Sequence, residues 1–327
     1  MKMMKNLLFA AALAALAFTG CSTEETSVGP EDLAVKFSTE ISSVTRTAPT
    51  TATNFAEGAK FSVTATSGLG DAAQATWMNG LVLTKSGSNW TGIGDTYYFK
   101  KGYKYSFAAY SPTETVLTMA NPEAVPYTVS ATVDDQKDLL YAVATKNFTN
   151  KDEKGVVTLA FNHALSQVRF TAKTTEDYSA YYTVTLKTIE LQEINSIGNL
   201  KFTDGTWGAL ATPISYSITY NKDLTTTETE MTTAGNDVLM LIPQDPKDKK
   251  MVLTLNVAAV ADMGDSAING EKKIDLTVPA TVWTSGFSYT YDITLNLDST
   301  LGIVPSIADP TIGVWKDGGK IPVNNNK

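Results

Sequence analysis

The chain has 327 residues, 43% of them hydrophobic, and its 34 acidic against 26 basic side chains leave a net charge of −8. That balance argues against a nucleic-acid partner, whose affinity would come largely from cationic contacts to phosphate. The one cysteine, Cys21, allows no disulfide and no cysteine-based metal site, so stability must come from the apolar surface that one or two domains of this length can bury.

Residues 1–20 read as a secretion signal: Lys2 and Lys5, then an apolar, alanine-rich run from Leu7 to Phe18, then the small residues Thr19 and Gly20. The run is too short for a permanent membrane helix. Cys21, directly after the small residues, is the acceptor that lipoprotein processing requires, although Phe18 stands where leucine is usual. Cys21 is therefore the expected lipidation site, and any attachment to a membrane is expected to run through its acyl chains.

Residues 21–46 form the expected propeptide. Between Leu33 and Ile41 the chain alternates, with Leu33, Val35, Phe37 and Ile41 on one face and Asp32, Lys36, Ser38 and Glu40 largely on the other. This pattern predicts one half-buried β-strand. The strand runs into a loop-like stretch from Ser42 to Pro49 that holds Arg46, the first arginine of the chain. An Arg-specific or trypsin-like protease would cut there and leave Thr47 as the new N-terminus. Burying the four apolar side chains is worth roughly 6–12 kcal/mol at about 1.5–3 kcal/mol each, comparable to the net stability of about 5–15 kcal/mol typical of a domain. Losing the strand would loosen the molecule or open an apolar groove with unpaired backbone groups, a template for another strand. A permanent edge strand, with Arg46 an incidental loop residue, stays open on the residue pattern alone.

Further along, apolar residues alternate more often than they recur at helical spacing, which predicts an all-β fold. Strands are expected at Lys60 to Thr66, Lys104 to Tyr110, Val156 to Phe161, Gln167 to Ala172, Tyr182 to Leu191, Ser215 to Tyr220, Asp237 to Ile242, Met251 to Ala258, Lys273 to Val278 and Ser288 to Leu297. Turns are expected at Ser67-Gly68, Ser86-Gly87, Ser111-Pro112, Asp204-Gly205 and Pro243 to Pro246. Such spacing favours β-sandwiches. Ser130 to Ala144 reads as a mixed segment, and Asn221 to Ala234 as an exposed loop. The polar interval after Lys173 suggests two domains, residues 47–173 and 174–327. The tail, residues 299–327, carries Leu301, Ile303, Ile307, Ile312, Val314 and Trp315 and is the candidate donor strand for an emptied groove.

Catalytic parts are missing. His163 is the only histidine, flanked by Phe161 and Leu165, and reads as a hydrogen-bonded core or edge residue. The adjacent pairs Glu24-Glu25 and Asp134-Asp135 read as solvated, although a glycosidase pair of carboxylates distant in the chain stays open on sequence alone. No phosphate-cradling glycine loop and no calcium loop occurs, so no catalytic residue, metal or cofactor is expected. Trp77, Trp90, Tyr97 and Tyr98 form either a sugar-stacking platform or sandwich core and rim.

Six blocks together resemble the fimbrillin family of pilus-subunit lipoproteins from Bacteroidales-type bacteria, which build type V pili. They run from Tyr103 to Pro112, Asp138 to Ala142, Val157 to Val168, Leu241 to Gln244, Trp283 to Tyr291 and Gly313 to Gly318, and Phe161 to Leu165 is the most specific stretch. The resemblance implies two tandem transthyretin-like β-sandwich domains, outer-membrane delivery, maturation by an Arg-specific protease and assembly by strand exchange with other fimbrillin subunits. On this reading Arg46 is the cleavage position and Leu33 to Ile41 the departing strand. Two functions follow: a polymerising subunit of an adhesive surface fimbria, or a tip or stand-alone surface adhesin that binds a host protein or glycan without polymerising.

Overall fold

The computed structural model describes residues 33–41, 55–92, 94, 96–114, 117, 122–149, 155–231, 238–260, 268–298 and 302–315. The fold is all-β, as the alternation requires, with one 3-10 turn at Val133–Asp135 among the described residues.

The first sheet has seven strands in the order β1 (Lys36–Ile41), β8 (Val156–His163), β7 (Leu140–Phe148), β5 (Tyr103–Ser111), β2 (Lys60–Leu69), β3 (Ala75–Ser86) and β4 (Asn89–Gly92). Every neighbouring pair is antiparallel except β1 and β8. The sheet curls until its ends meet, where Trp90 Nε1 of β4 donates to Thr39 Oγ1 of β1 at 3.1 Å. Phe61, Val63, Phe107, Phe148, Leu159 and Phe161 fill the inside as the first core.

A second core lies between two further sheets. One has the order β11 (Trp207–Asp223), β10 (Tyr182–Leu200), β14 (Lys250–Ala259), β15 (Gly270–Thr277), with β6 (Val125–Thr128) also paired to β10. The other has the order β12 (Thr229–Glu230), β9 (Ser166–Thr174), β16 (Phe287–Asp298), β17 (Gly302–Ile307), with β13 (Leu239–Leu241) on β9 and β18 (Thr311–Val314) on β16. Phe170, Leu186, Leu253, Tyr291 and Leu295 from both sheets share one interior, so this half is a sandwich.

Several expectations need correction. The first core ends at Phe161, and Val168, Phe170 and Ala172 of β9, which pairs with β16, lie in the second; Tyr110, Val125, Tyr127 and Leu139 lie there too, so the two cores do not divide the chain at a single point. The polar interval at 174–179 merely joins β9 to β10. The segment at 221–234 is no free loop in its described part: Leu224 and Met231 are buried, and Thr229 pairs with Ala172. Ser67-Gly68 lies inside β2, where a side chain on Gly68 would come 2.9 Å from the Ala72 carbonyl oxygen; the chain reverses at Gly70, with φ +58°.

Candidate functional site

The N-terminal strand is built into the first core. Alternation turns Phe37 and Ile41 inward, 9% and 1% exposed, while Leu33 and Val35 pack half-buried against the same core. Phe37 meets Phe61 and Phe107 edge to face, at ring separations of 5.8 and 5.9 Å. Two of the four side chains are thus fully committed, and these two alone supply roughly 3–6 kcal/mol of burial.

Its backbone is held from both sides. Along one edge, Lys36 to Ile41 run in register with Val156 to Phe161. On the other, Val35 N donates to Tyr97 O and Phe99 N donates to Leu33 O, both at 2.9 Å. The dependence is mutual, because β8 is in register with β7 only at Leu140↔His163 and Tyr141↔Asn162. Without β1, the stretch of β8 from Val156 to Ala160 would lose its ladder partner, and Phe61, Phe107 and Trp90 would lose their cover.

Two features of this seat were missed from sequence. Thr39 sits in the inward row between Phe37 and Ile41, and its hydroxyl accepts from Trp90. A lone polar residue in an apolar row signals a buried partner. The extended stretch Tyr97 to Phe99, which caps the other edge, carries no strand periodicity of its own.

The tail forms β17 and β18 on the outer edge of β16. Ile303 pairs with Leu297, Ile307 with Ile293 and Ile312 with Tyr289, and these isoleucines rest half-buried on the second core while Val304 faces out, 40% exposed. Val314 pairs with Phe287 through its backbone. Trp315, 6% exposed, stacks on the His163 imidazole with ring centres 4.5 Å apart. His163 Nδ1 bonds Asp138 Oδ2 at 2.9 Å, so the only histidine anchors the junction between the two cores. The sequence places Asp138 at the head of a family block but does not reveal it as the partner of His163. The tail therefore packs on its own half of the molecule, whereas its composition left open that it packs elsewhere.

The aromatic platform is not assembled as one surface. Trp77 packs on Tyr97 and Tyr105, and Trp90 on Phe55 and Phe61, all bordering the first core; only Tyr98 is exposed, at 43%. Asp134 and Asp135 are exposed on the 3-10 turn. Among the described residues no group of three His, Cys, Asp or Glu is placed to hold a metal ion. Burial pushes the Tyr291 hydroxyl above its ordinary range while Trp283 Nε1 donates to it at 3.0 Å, a structural bond inside the second core. Cys21, Arg46, Thr47 and Leu301 lie outside the described residues.

The model of the fimbrillin-like family matches residues 45–315. That span covers most of the sequence, and the chain belongs to this family. None of the curated proteins compared matches it. Among solved structures it is similar to a fimbrial protein from Bacteroides vulgatus (TM-score 0.62, 17% identity, 87% of this chain and 100% of that one). Two proposed cell adhesion proteins are also similar. The Bacteroides ovatus protein has a TM-score of 0.56 and 17% identity, over 87% of this chain and 99% of that one. The Bacteroides uniformis protein has a TM-score of 0.51 and 19% identity, with the same coverage. At such identities the likeness is one of fold. Among the described residues no helix is long and apolar enough to cross a membrane.

Proposed function

We propose that this chain is a structural subunit of a surface fimbria whose N-terminal strand is exchanged during assembly. Exported as a lipoprotein through Cys21, it is cut after Arg46 by an Arg-specific protease; the strand from Leu33 to Ile41 departs, and a neighbour's strand fills the groove. The two cores are then read as tandem transthyretin-like domains, and the tail with Leu301, Ile303, Ile307, Ile312, Val314 and Trp315 as the donor.

One observation supports this reading above the others. The strand before Arg46 is held on both backbone edges and buries Phe37 and Ile41 in the first core. Its departure would uncover a groove that is apolar inside and lined by unsatisfied backbone, which is what strand addition needs. The tail supports the donor role in a second way: it occupies a sheet edge through one neighbour, β16, and presents alternate isoleucines. As a test, the full chain is treated with an Arg-specific protease and its products are sequenced and run in mild detergent. The reading predicts an N-terminus at Thr47 and a ladder of oligomers. A clean cut at Thr47 that leaves only monomer would count against it.

A further inference from the structure

The outer face of the first sheet carries a feature that strand exchange does not use. A cleft of about 730 Å³ lies over β2, β3, β5 and β7. Its floor follows from the register. Thr76, Thr66, Ser106 and Thr145 stand side by side on β3, β2, β5 and β7, one hydroxyl per strand. Strands are about 4.8 Å apart, so this row spans roughly 14 Å across the sheet. The adjacent row carries Thr64, Ala108 and Val143. The row beyond is covered: Tyr110 and Tyr141 are buried, Tyr141 packs on Phe202, and the Tyr110 hydroxyl accepts from Leu117 N. Leu117, Pro122 and Thr203 line the cleft on this side.

We infer that this cleft is a binding site for a linear, neutral oligosaccharide lying across the strands. Three properties of the lining select that class. Among the described residues none of the lining side chains is charged, and Lys104, in the next row of the same face, is already paired with Asp71, so the cleft offers a charged ligand no free counter-ion of its own. The hydroxyl row beside Ala108 and Val143 offers polar groups along one line and apolar surface along the next, which matches sugar rings with their polar rims and apolar faces. Thr66 donates its own proton to Gln74 Oε1, which leaves its oxygen lone pairs for a ligand hydroxyl. An extended peptide is disfavoured, because β2 and β5 under the cleft are paired along both edges and offer no free backbone for strand addition. The volume lies within the roughly 300–1,000 Å³ common for small-ligand sites. This site is independent of the strand-exchange reading and lies on the opposite face of the sheet from Phe37.

The test is a calorimetric titration of the full chain with cellohexaose, maltohexaose and chitohexaose, and with a hyaluronan hexasaccharide as the anionic counterpart. At least one neutral sugar is expected to bind in the millimolar range or tighter, with hyaluronan weaker. Ser106→Lys, which fills the floor, should weaken that binding at least about tenfold, or about 1.4 kcal/mol. Thr145→Lys, at an exposed position that leaves the fold intact, should act in the same direction. Failure of all three neutral sugars to bind would overturn the inference. So would hyaluronan binding as tightly as the best of them, or Thr145→Lys binding like the parent chain with an unchanged melting temperature.

Discussion

The first and last described strands of this molecule are built from the same alternation but seated differently. β1 runs parallel to β8, is preceded by Leu33 and Val35, which bond Phe99 and Tyr97 on the opposite edge, and sends Phe37 and Ile41 into the interior. The tail runs antiparallel to β16, has one neighbour and rests its isoleucines half-buried at the sheet edge, pinned at its end by Trp315 on His163. A strand that sends its side chains into a core leaves a vacancy when it goes; one whose side chains rest half-buried leaves only a shortened sheet. Under the proposed strand exchange, this difference would make the seat of β1 the acceptor and the tail the donor.

The largest effect should come from the enclosed strand. Phe37→Ala removes a ring in contact with Phe61 and Phe107 and is expected to cost about 3–4 kcal/mol, measured as a lower urea midpoint. Amides of β1 and β8 should lose exchange protection together, since β8 depends on β1 for most of its ladder. Trp315→Ala should cost less, about 2 kcal/mol, because local opening of the tail limits what its anchor can contribute. Here protection should fall in β17 and β18 and not in β1. If both variants loosened the same amides, the two strands would not be separate units.

Smaller substitutions sharpen the contrast within the tail. Ile307→Ser, on the inward face, should cost about 1 kcal/mol, while Val304→Ser on the outward face should stay within about 0.5 kcal/mol in the same urea titration. The smallest effect concerns the exposed turn at Asp204. Its carboxyl is held down at about 2 by hydrogen bonds from Thr206 and Lys201, against an ordinary value of 3.8. A depressed carboxyl stabilises the fold above its unfolded value, and that support is lost as pH falls from about 4 towards 2. Asp204→Asn should therefore flatten the dependence of melting temperature on pH in that window, its small loss being fully present at neutral pH and disappearing as pH falls towards 2.

Much of the architecture was legible because it obeys period two. β2, β5, β8, β9, β14 and β16 fall close to their expected places, and β1 was readable from Leu33, Val35, Phe37 and Ile41. Where the period breaks, the reading stopped. β10 continues to Leu200 past the expected end at Leu191, because Glu193, with φ +61°, forms a bulge that shifts the inward row from Leu191 to Ile194. β11 is longer for the same reason, with positive φ at Ala209 and Thr212. β3 was missed across its bulge at Gly80, and β7 because the small Ala142 and Ala144 fill its inward positions. The crossing from the first core to the second after β8 was unreadable because only Ala164 and Leu165 separate β8 from β9, with no change in composition. At the candidate site, the strand was legible but its second backbone edge was not, since Tyr97 to Phe99 lie far off in sequence and show no alternation.

The central claim is that β1 fills an apolar seat which another strand can take once it leaves. The most direct measurement adds a synthetic peptide of residues 31–45 in excess to protease-cut protein and follows the oligomer ladder in mild detergent. The account predicts that this peptide suppresses the ladder, while a peptide carrying Phe37→Ser and Ile41→Ser does not. Equal ladders with both peptides, or equal suppression by both, would contradict it.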